Sequence, residues 1–143
     1  MQLHLKHPLE PGSAPRHAAD IVATAADISG AVLDYSPDSI DLVEDIVDGF
    51  RAVGVTGEEL AESLVGFGCY VGEILTRHAG GVWRRASASP RTVPLAVELP
   101  GAGECHPIDW VFGRLERGAD VSIRGLYSAA GHGNPGGSPE GEC

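Results

Sequence analysis

Hydrophobic residues recur at helical spacing through most of this chain, and the first such stretch runs from Ala18 to Ser29. Its apolar residues Ile21, Ala25 and Ile28 stand at positions i, i+4 and i+7, which place them on one face of a helix. Residues 1–17 hold three prolines and no such periodicity. We therefore expect a flexible N-terminal arm followed by a modest amphipathic helix.

The next helix has a start signal at Ser36-Pro37. Serine is a favoured N-cap residue, and proline is favoured at the first helical position, where its missing N–H is no loss. We expect this helix to run from Pro37 to about Ala52. Its buried stripe comprises Ile40, Val43, Val47 and Phe50, and its solvent-facing side carries Asp41, Glu44, Asp45 and Asp48.

The longest predicted helix follows a capping box formed by Thr56 and Glu59. It extends to about residue 79 and ends at Gly80-Gly81, because glycine is the preferred residue just after a helix. Within it, each glycine costs about 0.5–1 kcal/mol relative to alanine, so glycines such as Gly68 and Gly72 indicate that something lies close to this backbone. The helix can contact neighbours on two sides.

After these glycines the pattern changes to that of strands. Residues 82–85 and 92–99 are typical of two strands, which would form an antiparallel hairpin through residues 87–91. Pro107 starts another helix, which ends at Gly118. Residues 120–130 fit either a strand or a helix, and their periodicity does not decide between the two.

These elements predict a single α+β domain of four to five helices packed with a small two-stranded antiparallel hairpin. The domain spans residues 18–130, between the arm of residues 1–17 and a disordered Gly/Pro-rich tail of residues 131–143. No segment has the apolar run of a signal peptide or the roughly 20 apolar residues that cross a membrane, so we expect a cytoplasmic protein. Three cysteines without a CxxC spacing fit reduced thiols.

Three short motifs stand out among the predicted elements. They are Leu-Asp-Tyr-Ser-Pro-Asp-Ser at 33–39, Gly-Cys-Tyr-Val-Gly-Glu at 68–73 and Gly-Gly-Val-Trp at 80–83. Together they resemble a pattern found in a family of small, functionally uncharacterised actinobacterial proteins and domains, over roughly residues 32–128. The resemblance implies an α+β fold with a helical 120–130 segment, and it implies no activity.

The net charge of −10 disfavours binding to the phosphates of nucleic acids. The charge is uneven, because residues 1–81 hold 13 acidic and 4 basic side chains whereas residues 82–143 hold 7 and 6. The acidic half could attract the region of Arg84, Arg85 and Arg91 within one chain or between two. The longest helix offers more surface than the other predicted elements cover, so we also expect a homodimer.

Glu73 is the first candidate for acid–base chemistry. It lies near Tyr70 and Arg77 on the longest helix, and an arginine can position a carboxylate as a proton acceptor. Glu73 and Arg77 also form an ordinary i,i+4 surface pair. His106 is the second candidate, because it follows Cys105 where a helix begins and a thiol there can have a lowered pKa, although residues adjacent in sequence rarely form a catalytic pair.

Two surfaces are candidates for binding a partner. Gly68 and Gly72, with Trp83, could line a groove for a peptide or ligand, or the glycines could allow close helix packing. The second surface is the acidic side of the Pro37 helix, formed by Asp41, Asp45 and Asp48, which could dock a basic peptide or be solvated surface. No ligand spacing indicates a metal site, and no phosphate or dinucleotide motif indicates a cofactor.

The sequence therefore favours an accessory module that binds a peptide or protein partner through a helical face. The alternative is a small cofactor-free acid–base enzyme acting on a peptide substrate. A lanthipeptide-tailoring cross-linking protein is one example of such an enzyme, suggested by the size of the chain and the actinobacterial resemblance rather than by a motif.

Overall fold

The computed structural model of the protein describes residues 10–57, 60–85, 95–100 and 103–131. The described elements follow one another as α1 (Ala14–Ser29), α2 (Ile40–Ala52), α3 (Ala61–His78), β1 (Val82–Arg85), β2 (Leu95–Leu99), β3 (Gly103–Cys105), α4 (Pro107–Arg117) and α5 (Ile123–Gly131). Short 3-10 turns precede α1 and α2, and a third follows α4. The predicted α+β class is confirmed, and the described residues form five helices.

α1 begins at Ala14, four residues before the predicted start. Ala14 is fully buried and His17 is 5% exposed, so the end of the predicted arm belongs to the helix. The prediction took Pro15 as a sign of irregular structure, whereas proline fits the first turn of a helix, where its missing N–H costs nothing. Gly30, with φ of 72°, ends the helix. Residues 1–9 lie outside the described residues.

α2 begins at Ile40, three residues after the predicted start, because Pro37–Ser39 form a 3-10 turn. Three of the four residues of the predicted buried stripe are buried, and Phe50 is partly buried. The side-chain oxygen of Ser36 accepts a hydrogen bond from the backbone N–H of Ser39, in the 3-10 turn that leads into the helix. Ile40, Val43 and Val47 are then fully buried. The cap and the apolar spacing together place one face of α2 against the core.

α3 is the centre of the molecule, and every residue from Leu64 to Leu75 is buried. α1 and α4 make the most extensive helix contacts with it. The helix begins at Ala61 with Leu60 as its N-cap, four residues after the predicted cap Thr56, so the predicted start is wrong. The backbone N–H of Leu60 donates to the carbonyl of Thr56, which places Thr56 in the turn before the helix. Glu59 of the predicted capping box lies outside the described residues. Gly80, with φ of 77°, follows the end of α3 as predicted.

The sheet has three antiparallel strands, where the sequence predicted two. β1 pairs with β2, which places Trp83 opposite Val97, and β2 pairs with β3, which places Val97 opposite Cys105. The sequence does not predict β3, because its three residues are too few to show the alternation of apolar and polar residues that is typical of a strand. The strand also begins with Gly103, whose φ is 77°. The predicted hairpin connection and residues 92–94 lie outside the described residues.

The last two helices complete the core. α4 begins at Pro107 and is followed by Gly118, as predicted. Residues 123–131 form α5, which decides between the two interpretations of the 120–130 segment. Its first residue, Ile123, is fully buried, and the helix contacts α2, α3 and α4. Gly131 of the predicted tail belongs to α5, and residues 132–143 lie outside the described residues.

Candidate functional site

Glu73 lies on α3 with its carboxylate held between two donors. The residue is 7% exposed. The indole Nε1–H of Trp83 donates to Oε2 at 2.9 Å, and Nη2 of Arg77 lies 3.6 Å from Oε1. These two partners compensate the carboxylate for its burial. The structure thus brings Glu73 together with Arg77 as predicted, and with Trp83 from the predicted binding set.

Tyr70 lies about one helical turn before Glu73, and its hydroxyl forms hydrogen bonds with the segment that leads into α2. Its hydroxyl accepts a hydrogen bond from the backbone N–H of Tyr35 at 2.8 Å and lies 2.6 Å from Oγ of Ser39. Burial raises the pKa of Tyr70 above its ordinary value, and these hydrogen bonds oppose the rise only in part. The phenol therefore keeps its proton at neutral pH and is not poised as a base.

Tyr35 has a backbone conformation that bulky residues rarely adopt, with φ of 63°. Besides Tyr70, two other side chains of α3 contact Tyr35 and hold it in place. The Nε2–H of His78 donates to its carbonyl at 2.9 Å, and the guanidinium of Arg77 lies 3.7 Å from the centroid of its ring. These contacts offset a conformational cost of about 1–3 kcal/mol. We interpret the polar residues at the C-terminal end of α3 as the anchor of this turn.

His106 immediately precedes α4 and is buried. Its Nε2 lies 3.2 Å from Oε1 of Glu104, so this polar pair is separate from the partners of Glu73. Cys105 is disulfide-bonded, so the expectation of reduced thiols is wrong for this residue. Cys105 therefore offers no thiolate that could pair with His106. Cys69 is a free, buried core residue whose pKa is raised by burial.

The glycines of α3 mark places where other elements touch its backbone. A methyl group on Gly68 would lie 2.4 Å from Cα of Ile108, and one on Gly72 would lie 2.3 Å from the ring of Trp83. α4 and β1 therefore fill the space beside both glycines. Close packing accounts for their presence, and neither glycine is open to a ligand in this structure.

The acidic side of α2 is covered in part by arginines of the same chain. Arg114 donates from Nε and Nη2 to the two carboxylate oxygens of Asp48, at 2.8 and 2.7 Å. These hydrogen bonds hold the pKa of Asp48 below its ordinary value. Nη1 of Arg124 lies 3.2 Å from Asp41, whereas Asp45 is exposed. The basic side chains that meet this acidic surface are therefore Arg114 and Arg124, which the sequence analysis did not name. Of the predicted arginine region, Arg85 lies 3.8 Å from Glu10 and Arg84 pairs with Glu98.

A groove on the surface lies between α1 and α3, and we call it the α1–α3 groove. Its polar end has a volume of about 170 Å³. That end is lined on α1 by His17, Asp20, Ile21 and Thr24 and on α3 by Glu62, Ser63 and Gly66. An apolar end shares Ile21, Thr24 and Ser63 with it and adds Ala25, Ile28, Ser29, Ile46, Phe50 and Phe67. Neither end includes Glu73, Tyr70 or His106.

Sequence reasoning missed this groove, because its walls come from helices whose relative placement the sequence does not show. A partial signal exists, since His17, Asp20 and Thr24 stand at i, i+3 and i+7 and form a polar stripe beside the apolar stripe of α1. That stripe is not visible when His17 is assigned to the arm.

Among known proteins, no family model matches this chain, and no curated protein or solved structure matches it either. In the part of the chain that the structure describes, no helix has both the length and the apolar character needed to cross a membrane. Nor do those residues include a group of three or more His, Cys, Asp or Glu side chains that could hold a metal ion. Function must therefore be inferred from the geometry of this chain.

Proposed function

We propose that this protein is an accessory module that binds a peptide or protein partner, and that it does so through the α1–α3 groove. The observation that carries the proposal is the groove itself, where a polar cavity of about 170 Å³ continues into an apolar surface. Binding sites combine concave shape, apolar contact area and a few polar groups that orient the ligand. The groove has all three properties.

The rim of the groove favours a partner of polypeptide size. Ile28 is 67% exposed at the apolar end, although it lies on the same face of α1 as the buried Ile21. Covering an aliphatic side chain of this size contributes about 1.5–3 kcal/mol. Ser63 and Thr24 lie between the two ends and carry hydroxyl groups that can orient a peptide. A ligand confined to the polar cavity would leave Ile28 uncovered.

The enzyme alternative has less support. Glu73 is engaged by Trp83 and Arg77, and Tyr70 by Tyr35 and Ser39, so these side chains already have structural partners. A Glu73→Gln substitution keeps an oxygen that accepts from the indole and removes only the charge. We expect it to change stability and partner binding little, whereas an acid–base enzyme would lose turnover.

Self-association remains a prediction, but its original basis is weaker. The surface of α3 that suggested a dimer is covered within the chain by α1 and α4. A dimer would have to use another surface, with the exposed apolar residues Ile28, Val32 and Val53 as candidates. Light scattering at high micromolar concentration distinguishes a monomer of 14.9 kDa from a dimer of twice that mass.

The proposal is tested by selecting a displayed random-peptide library against the wild-type protein. Enriched peptides are then measured against a Ser63→Trp variant, which fills the groove where its two ends meet. Ala26→Trp is the matched control, because Ala26 is exposed and lies about 200° around α1 from Thr24. Circular dichroism verifies that both variants fold.

We expect the enriched peptides to bind the control like the wild type and to bind Ser63→Trp about tenfold more weakly or worse, a loss of about 1.4 kcal/mol. Peptides that bind Ser63→Trp as well as the wild type would contradict the proposal. So would a library from which no peptide is enriched.

A further inference from the structure

We infer that Cys105 forms its disulfide with Cys143, and that this bond, which we call the clasp, is a redox-sensitive device that closes α4 and α5 into one covalent loop. The clasp has an oxidised, closed form and a reduced, open form. The inference is independent of the α1–α3 groove and of the partner proposed for it.

The partner of Cys105 follows from the cysteines that the chain contains. There are three, at positions 69, 105 and 143. Cys69 is free and fully buried in α3, whereas Cys105 is disulfide-bonded. A disulfide needs a second cysteine, and Cys143, which lies outside the described residues, is the one that the sequence leaves to supply it.

The Cys105 end of the clasp is fixed in the core. Cys105 is fully buried and stands opposite Val97 in the sheet. Two residues later Pro107 begins α4, and its Cγ would lie 3.3 Å from a Cβ placed on Gly72. β2 and α3 therefore hold the segment that carries this cysteine. A bond made here ties its partner to a rigid part of the molecule.

The clasp turns the chain between the two cysteines into a closed loop. The cysteines are 38 positions apart, and the loop contains all of α4 and α5. Closing a loop removes conformations from the unfolded chain, so the bond stabilises the folded protein by an amount that grows with loop length. For a loop of this length the bond should raise Tm by roughly 5–15 °C.

α5 is the helix on which the clasp should have the greatest local effect. It has nine residues, too few for a helix to be stable alone. The backbone N–H of Arg124 donates to Oε2 of Glu44 at 3.1 Å, and Nη2 of Arg124 lies 2.9 Å from Oδ1 of the exposed Asp38. Exposed ion pairs contribute little to stability. When the clasp is open, α5 therefore depends on these contacts and on its buried residues Ile123 and Ala130.

Opening the clasp is a thiol–disulfide exchange with a dithiol reductant. A thiolate of the reductant attacks one sulfur, the bond between Cys105 and Cys143 breaks, and a second exchange closes the reductant into its own disulfide. Two electrons and two protons pass to the protein, which gains two thiols. Cys69 takes no part, because burial raises its pKa and keeps the thiol protonated.

Peptide mapping by mass spectrometry tests the pairing. The full-length protein is purified without reductant, its free thiols are alkylated in denaturant, and it is digested without reduction. We expect one cross-linked peptide that contains Cys105 and Cys143, with the alkyl label on Cys69. A cross-link to Cys69, a covalent dimer on a non-reducing gel, or a label on all three cysteines would overturn the inference.

Thermal unfolding with and without the dithiol tests the effect of the clasp on stability. We expect reduction to lower the Tm of the wild type by roughly 5–15 °C. Cys143→Ser is the matched variant, because it prevents the bond and leaves the buried Cys105 in place. Its Tm should equal that of the reduced wild type, and the dithiol should change it by less than about 2 °C. A wild-type Tm that reduction leaves unchanged would contradict the clasp.

Hydrogen exchange locates the effect within the fold. After short labelling times, reduction should raise deuterium uptake in α5 by about twofold or more. The core of α3 should stay protected in both forms, because buried helices exchange mainly by global unfolding. Uptake in α5 that is the same in the oxidised and reduced protein would show that the bond does not hold this helix, and the inference would fail.

Discussion

The Gly68→Ala substitution should destabilise the protein, because α4 touches α3 at this residue. On the present backbone the new Cβ would lie 2.4 Å from Cα of Ile108 and 2.5 Å from its Cγ1. Carbon atoms in contact are normally about 3.5–4.0 Å apart, so α4 must move by roughly 1 Å. Since the nearest atom belongs to the backbone, no side-chain rotation can relieve the clash.

The size of the effect follows from two opposing contributions. Inserting a methyl group into a packed core typically costs about 1–3 kcal/mol. The higher helix propensity of alanine offsets up to about 1 kcal/mol of this cost. We expect a net loss of about 1–2 kcal/mol in the free energy of unfolding, which lowers Tm by roughly 3–8 °C in a domain of this size.

Gly49→Ala is the matched control for this measurement. Gly49 lies inside α2, and a Cβ built there has nothing within 4 Å. The control should gain about 0.5–1 kcal/mol, because only the propensity contribution remains. Urea denaturation followed by circular dichroism measures both variants. If Gly68→Ala gains stability as Gly49→Ala does, α4 is not packed on this glycine and the region is open, as the ligand-groove interpretation requires.

Three further predictions concern the polar contacts. Arg114→Met should lower the free energy of unfolding by about 1–3 kcal/mol, because it leaves the Val121 carbonyl and a partly buried Asp48 without their donor. An unchanged urea midpoint would contradict the described geometry. Folding lowers the pKa of Asp48, so this carboxylate stabilises the folded protein fully above its ordinary pKa of 3.8 and loses that effect as the pH falls through the lower folded value. The stability difference between wild type and Asp48→Asn should therefore be constant near neutral pH and shrink in acid. A difference that grows below about pH 4 would have the wrong sign. Tyr70→Phe should cost about 1–3 kcal/mol, because it removes the acceptor for the partly buried N–H of Tyr35. A loss no greater than that of a surface mutation would refute this role.

Local signals in the sequence were sufficient to identify four of the five described helices and several of their ends, whereas residues 120–130 stayed undecided between strand and helix. The Ser36 cap, the Pro107 start and the Gly118 stop act through backbone geometry and hydrogen bonds within a few residues, so they are visible in the sequence alone. The start of α1 was placed too late because Pro15 is compatible both with a loop and with the first turn of a helix. In that case burial of Ala14 against the core decided the outcome.

The partners of the candidate site residues could not be predicted in the same way. The sequence indicates that something lies against Gly68 and Gly72, but whether it is a ligand, Ile108 or Trp83 depends on where α4 and β1 are placed. Asp48 likewise looks like a solvated helix residue until Arg114, 66 positions away, is brought beside it.

By itself, then, the sequence determined the α+β class, the order of the helices and the apolar faces that they bury. Only the tertiary structure decided which partners the polar side chains have, as Trp83 and Arg77 are for Glu73, and where a concave surface lies, as between α1 and α3. The physical reason is that caps and apolar periodicity depend on neighbouring residues, whereas a groove depends on the relative placement of whole helices. That placement results from packing all of the elements together around α3.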